Sequence, residues 1–178
     1  EKKHFWGKEF LFKVYMLTLM IPGQVTMIPV FIIMKKLGLL NTYFALVVII
    51  LNAFGVFLIR QFMESVPDEL LEAAKVDGCP EYKIFINIVI PLIKPVLVSL
   101  VVFTFVTSWN DFMWPLVSTT DSSMYTLTVA LSLLKTQYQT NYGLILAGAT
   151  VSFIFPFILY AFLQKQFVEG IALSGVKG

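Results

Sequence analysis

The sequence predicts an all-α fold, a polytopic transmembrane helical bundle. Three observations carry that prediction. Hydrophobic residues make up 58% of the 178 and charged residues only 13%, about half the charged share of a soluble domain, and mean hydropathy is +0.83. Four stretches lack Asp, Glu, Lys and Arg over lengths that cross, or nearly cross, a hydrocarbon core. Lys and Arg crowd into alternate connections between those stretches, as they do in membrane proteins of fixed orientation.

Val14–Met34 is the first stretch; its 21 residues reach about 31 Å as a helix. Pro22-Gly23 and Pro29 interrupt it. Proline removes a backbone hydrogen bond and kinks a helix, and membranes tolerate the break only where a neighbour or a cavity satisfies the freed groups. A static kink and a hinge beside a translocation path both remain open. Leu37–Ile59 is the second stretch. The third, Pro95–Asn110, extends past Asp111 through Phe112 to Leu116. The fourth is Thr136–Gln164, with Gly143–Leu163 as its apolar part and Pro156 inside it. Gly143 with Ala147, and Gly148 with Ser152, set small residues four apart and permit close helix packing.

With a cytoplasmic N-terminus, Lys2, Lys3, Lys8, Lys13, Arg60, Lys75, Lys83, Lys94, Lys165 and Lys177 lie inside, and Lys35, Lys36 and Lys135 outside. That is 10 against 3, so the positive-inside rule selects this orientation. The loop 64–94 and the C-terminus are then cytoplasmic, and the loop 118–142 is external. The external loop is rich in Thr, Gln and Tyr around an apolar stretch, Leu127–Leu134. It reads equally as a connector with a partly inserted helix or as a surface for an external partner.

Trp109 and Trp114 flank Asn110 and Asp111 near the outer end of the third span. Indole rings favour that interfacial level. A carboxylate at mid-membrane would cost about 3 kcal/mol, so Asp111 belongs near water or in a lined cavity. Asn110 and Asp111 are therefore candidates for lining a polar pathway.

In the cytoplasmic loop, Ser65-Val66-Pro67-Asp68 has the form of a helix start, with Ser65 as the cap. Gly78 is a stop signal and Pro80 opens the next element. A helix of about three turns is expected over Val66–Asp77, with Leu70, Ala73, Ala74 and Asp77 on one face. Two alanines there make a low surface, and Glu72 beside them offers a charge to an Arg or Lys partner. Glu81–Ile93 reads as a second helix, bending at Pro91 and Pro95 into the third span.

Glu72-Ala73-Ala74, three residues, Gly78, nine residues, Ile88, one residue, Ile90 and Pro91 form a spaced pattern. It resembles the EAA loop of the membrane subunits of ATP-binding-cassette importers. Ile90 stands where that pattern usually has Leu, a change that keeps bulk. Ile21-Pro22-Gly23-Gln24, Leu37-Gly38-Leu39-Leu40-Asn41-Thr42-Tyr43, Val66-Pro67-Asp68-Glu69-Leu70, Trp109-Asn110-Asp111-Phe112 and Gly175-Val176-Lys177-Gly178 are similar to the sugar-importer branch of that family, over nearly the whole chain.

The resemblance implies a MetI-like permease fold and one permease domain over 1–178. Full members have six spans, so the four here are read as the last four, in a chain truncated at its N-terminus. It implies a translocation pathway shared with a second permease subunit, a cytoplasmic ATPase dimer and an extracytoplasmic sugar-binding protein, in the inner or plasma membrane of a prokaryote. It places Glu72, Ala73, Ala74, Asp77 and Gly78 at the ATPase contact, and the tail Gly175, Val176, Lys177 and Gly178 near the same partner.

Other classes fit less well. No GxxxxGK[ST] phosphate loop occurs, so no catalytic residue and no nucleotide or other cofactor is expected on this chain. One His and one Cys, His4 and Cys79, give no zinc set. A net charge of +2 does not suggest nucleic acid. An ion-coupled transporter needs ionisable groups within its spans, and these spans are nearly bare. Permeases for amino acids or phosphate are the nearer alternative; the WNDF and IPGQ strings favour a sugar, of a kind the sequence does not specify.

Overall fold

Prolines and left-handed residues decide where this chain turns. The structure is a computed structural model that describes residue 2 and residues 5–50, 53–134 and 142–175, with side chains as far as 164. All regular structure among these residues is helical. The chain divides into two compact units, one built from 1–20, 52–101 and 163–178, the other from 21–51 and 102–162. All ten basic residues assigned above to the cytoplasm fall in the ranges of the first unit, and Lys35, Lys36 and Lys135 in those of the second.

The first unit contains α1 (Lys8–Leu19) and, after the break that follows it, residues 53–101. The expected first span is therefore two helices. The helix ends at Leu19 and restarts at Gly23 behind Pro22, whose extended ψ of 133° is incompatible with continuing a helix. In this unit α4 (Ala53–Glu64) packs against α1, and α5 (Asp68–Val76) against α6 (Glu81–Ile84). A π-helical stretch, Phe85–Val89, joins α6 to the short α7 (Ile90–Leu92). Pro91 cannot donate to the carbonyl four residues back and its ring crowds it; the widened π turn lies on those residues. At Ile93 the chain bends by 69° into α8 (Lys94–Asn110). The core of the unit is Val66, Leu71, Ala74, Ile84, Val89, Ile93 and Val96, so it forms mainly on the loop helices and takes in the first turn of α8.

The second unit holds α2 (Gly23–Lys36), α3 (Tyr43–Val48), the outer part of α8, α9 (Met113–Ser118), α10 (Leu127–Leu134) and most of α11 (Tyr142–Gly175). Gly38 at φ 67° closes α2: its N–H bonds the Lys35 carbonyl at 3.1 Å, and Leu39 N–H reaches Met34 at 2.9 Å, the paired bonds of a Schellman ending. The expected second span, Leu37–Ile59, thus begins with a turn. Residues 51–52 lie outside the described residues, between α3 and α4. The third span also differs from expectation. Its helix stops at Asn110, and Asp111-Phe112 separates it from α9.

Among the described residues one helix, Tyr142–Gln164 within α11, is long and apolar enough to cross a membrane alone. The α1–α2 pair and the Glu81–Leu92 and α8 pair each qualify when taken together. The apolar stretch expected within the loop 118–142 is α10. Gly148 on α11 sits where a Cβ would overlap the tip of the Leu131 side chain on α10, so any larger residue there would have to move Leu131 aside.

Candidate functional site

The loop 64–94 builds its helix later than the sequence suggests. α5 begins at Asp68 with Pro67 as its cap. Ser65 does not cap it; its hydroxyl donates to the Phe62 carbonyl at 2.8 Å and closes α4 instead. Pro67 with ψ 132° delivers the chain in an extended step, and its missing N–H is lost where no helical partner existed. Asp68 and Glu69 in the first turn and Lys75 in the last complement the helix dipole.

The end of α5 matches expectation closely. Gly78 has φ 75°, its N–H bonds Lys75 O at 3.0 Å, and Cys79 N–H bonds Ala74 O at 3.0 Å. This is again a Schellman ending. A Cβ at Gly78 would meet nothing within 4 Å, so the position requires glycine for its backbone and not for space.

The expected face of Leu70, Ala73, Ala74 and Asp77 is split. Leu71 and Ala74 are buried in the core, while Leu70, Glu72, Ala73 and Asp77 are exposed. One turn of core contact, three residues apart, suffices to seat the helix, and Ala74 is part of that contact. Glu72 forms no ion pair with a described residue. Val76, one turn further along α5, is 87% exposed, and Tyr82 on α6 is exposed as well. α5 therefore offers a preformed ridge carrying an exposed carboxylate.

The Trp109–Asp111 segment of the second unit is organised by carbonyls that lack a helical donor. In α11, Pro156 has no N–H to give the carbonyl of Ser152, four residues earlier. The indole N–H of Trp109 donates to that carbonyl at 3.0 Å. Phe105 and Phe155 pack against the ring at 5.4 and 5.3 Å between centroids. Pro115 likewise leaves the Asp111 carbonyl without its donor, and the Thr128 hydroxyl fills it at 2.9 Å. The Ala45 carbonyl belongs to the last turn of α3, where helix carbonyls have no partner of their own; Trp114 donates to it at 2.9 Å. Asn110 is exposed at the end of α8, with its amide nitrogen on the Val106 carbonyl at 2.8 Å, and Asp111 is half-buried.

Sequence reasoning missed three partnerships. Asn41 takes the left-handed conformation at φ 59°, which asparagine tolerates. Its side-chain oxygen accepts from Thr120 N and Asp121 N, both at 3.0 Å, and its N–H donates to Ser118 O at 2.8 Å. Arg60 is paired with Glu9, and Lys2 with Asp68. The first had a signal in the Gly-Leu-Leu-Asn run, where Asn follows a helix stop. The ion pairs join residues more than 50 positions apart and left none. Of the tail, Gly175 ends α11 and residues 176–178 lie outside the described residues.

A family model described as the binding-protein-dependent transport system inner membrane component matches residues 1–172. The chain belongs to this family. It is thus an all-α helical permease of the MetI-like type and an inner-membrane component by family. It is 41% identical over 98% of its length to the arabinooligosaccharides transport system permease protein AraQ of Halalkalibacterium halodurans, covering 63% of that protein. It is 36% identical over 96% of its length to the lactose transport system permease protein LacG of Rhizobium radiobacter, covering 62%. It is 35% identical over 94% of its length to the sn-glycerol-3-phosphate transport system permease protein UgpE of Yersinia pestis, covering 60%. The chain therefore spans about three fifths of the length of these relatives.

Proposed function

We propose that this chain is the transmembrane subunit of an ATP-driven importer, forms half of the pathway for a sugar or oligosaccharide, and couples to a cytoplasmic ATPase through α5. The observation that carries the coupling is the seating of α5. Leu71 and Ala74 fix it to the core, and Glu72, Ala73 and the Gly78 turn stand outward for a partner. A carboxylate on such a ridge suits a cleft with an Arg or Lys at its base. Relatives named for arabinooligosaccharides and lactose support a sugar cargo. The relative named for sn-glycerol-3-phosphate favours, as a second reading, a phosphorylated small solute.

The mechanism is alternating access. ATP closes the ATPase pair, the docked α5 moves with it, and the pathway turns outward; hydrolysis on that separate subunit resets it. A second permease chain completes the pathway, and an extracytoplasmic binding protein delivers cargo at the 118–142 side. The basic residues gathered in the first unit support a cytoplasmic side for that unit and for the C-terminus. Asn110 and Asp111 border the pathway, where the Asn110 amide oxygen is the group that a sugar hydroxyl would meet.

Cys79, the only cysteine and exposed, tests this directly. A membrane-impermeant maleimide should label it only from the cytoplasmic side, and the cognate ATPase should reduce that labelling. Labelling from outside would overturn the orientation; labelling indifferent to the ATPase would overturn the docking.

A further inference from the structure

The segment from Lys2 to Leu19 is joined to the α4–α5 corner at two points that the proposed function does not use. At the first, Arg60 near the end of α4 has a side chain only 16% exposed. One of its Nη atoms donates to both carboxylate oxygens of Glu9, at 2.9 and 3.1 Å. The guanidinium carbon lies 3.7 Å from the centroid of the Phe12 ring, and Nε is 3.7 Å from Glu64. Glu9 and Phe12 are three residues apart on α1 and so share a face. At the second point, Lys2 Nζ pairs with Asp68 at 3.0 Å and donates to the Val66 carbonyl at 2.6 Å. Asp68 is the first residue of α5.

The two joints differ in strength. In exposure they are alike, Lys2 18% and Asp68 72% against Arg60 16% and Glu9 61%, and an exposed carboxylate makes either pair weak taken alone. The Arg60 joint is the stronger because it holds both oxygens of a carboxylate through charge-assisted bonds, adds a cation–π contact with Phe12 and has Glu64 beside it. It also bridges 51 positions of sequence. α4 and α6 follow α5 because the backbone joins them to it. α1 has no such short connection, so its link to the corner is made by side chains.

We propose that Arg60 is a positioning residue for coupling: by gripping Glu9 and Phe12 it makes α1 travel with the α5 corner, so that a stroke applied at α5 reaches the transmembrane part through α1. This rests on the docking role of α5 argued above. Coupling between sites needs an element whose arrangement both ends bias, and a guanidinium held at once by a carboxylate and a ring transmits displacement where one with a single solvated partner would let go.

The test uses the complete importer in lipid nanodiscs. ATPase retention is measured first by co-purification, with Glu72→Arg as the control; a Glu72→Arg chain that keeps its ATPase sinks the docking reading, whatever the distance measurements give. Spin labels then go on Lys13→Cys in α1 and Lys83→Cys in α6, both exposed, with Cys79→Ser. Lys83 adjoins Ile84, which shares the core with α5. The α1–α6 distance should be the same without nucleotide and with ATP plus vanadate, and should shift between those states once Arg60→Met is introduced. A shift with Arg60 present, or none with Arg60→Met, overturns the proposal. Should Arg60→Met fail to fold, Glu9→Gln with Phe12→Leu removes the grip from the other side and leaves Arg60 beside Glu64. Reversal of the pair, Glu9→Arg with Arg60→Glu in a Glu64→Gln background, should restore the state-independent distance; a role in stability alone would be served equally by an apolar pair.

Discussion

The indole N–H of Trp109 donates to the Ser152 carbonyl, the one acceptor in that turn of α11 that Pro156 cannot serve. A proline in one helix and a tryptophan in another thus form a single unit. Trp109→Phe keeps the stacking on Phe105 and Phe155 but leaves the carbonyl unpaired, at about 1–3 kcal/mol. Pro156→Ala restores the internal donor, so adding it to Trp109→Phe should recover most of the loss. Thermal unfolding of the four members of this double-mutant cycle in one detergent measures the coupling; simple additivity would show that the bond contributes nothing.

Gly78→Val should weaken α5 without a clash. The position has φ 75° and open space around the absent Cβ, so the cost is backbone strain of about 1–2 kcal/mol. Gly78→Asn should be the mildest replacement. Co-purification of the ATPase should rank Gly, Asn, Val in that order while membrane insertion stays constant. Equal retention by all three would show that the turn does not shape the docking ridge.

Local demands were legible in the sequence and partner choice was not. Gly78 could be read because a left-handed turn requires glycine locally, and α10 because its apolar run is bounded by polar residues; Gly38, an equal stop, was hidden inside the apolar stretch expected as the second span. The break in the first span was visible as Pro22-Gly23, although its consequence, two helices, was not. Pro156 announces a freed carbonyl at Ser152, but nothing local says that Trp109, 43 residues away, supplies the donor. Ser65 misled because serine bonds a preceding carbonyl as readily as it caps a following helix. Ala74 misled because helical periodicity defines a face without saying which way it points.

Asn41 should govern the order of the 118–121 turn. Its side-chain oxygen holds Thr120 N–H and Asp121 N–H together. Asn41→Ala removes both bonds and also places a side chain that disfavours φ 59°; Asn41→Asp keeps the acceptor. Hydrogen exchange at Thr120 and Asp121 should accelerate about tenfold in the alanine variant, which corresponds to about 1.4 kcal/mol, and little in the aspartate variant. Unchanged protection in Asn41→Ala would mean that the turn is held by Ser118 alone.

Asp121 gives this turn a pH dependence. The Ser123 backbone N–H, and secondarily its hydroxyl, hold the exposed carboxylate below its ordinary value. A lowered folded value means that the bond contributes fully above the unfolded aspartate pKa and is lost as pH falls through the folded one. The Ser123 amide resonance should therefore titrate on the acid side of an unperturbed aspartate, and Asp121→Asn, which retains the acceptor oxygen, should abolish that titration. A midpoint at or above the ordinary aspartate value would contradict the bond.

Ala73 and Ala74 are adjacent and alike, yet the structure sends them in opposite directions: Ala74 is 7% exposed within the core, and Ala73 faces outward. Enlarging them separates folding from docking. Ala74→Leu forces extra methylenes against Leu71 and Ile84, its companions in the core cluster, at about 1–3 kcal/mol, and should lower the unfolding temperature of the chain without any partner present. Ala73→Leu meets no core and should leave that temperature unchanged, because surface substitutions away from special features stay within about 0.5 kcal/mol. In the assembled importer the order should reverse in kind. Ala73→Leu raises a ridge that must fit a cleft and should reduce ATPase retention, whereas Ala74→Leu should act on retention only as far as it unfolds α5. Equal thermal effects of the two substitutions would refute the assignment of faces. Full ATPase retention by Ala73→Leu would move the docking surface away from the Glu72 side of α5.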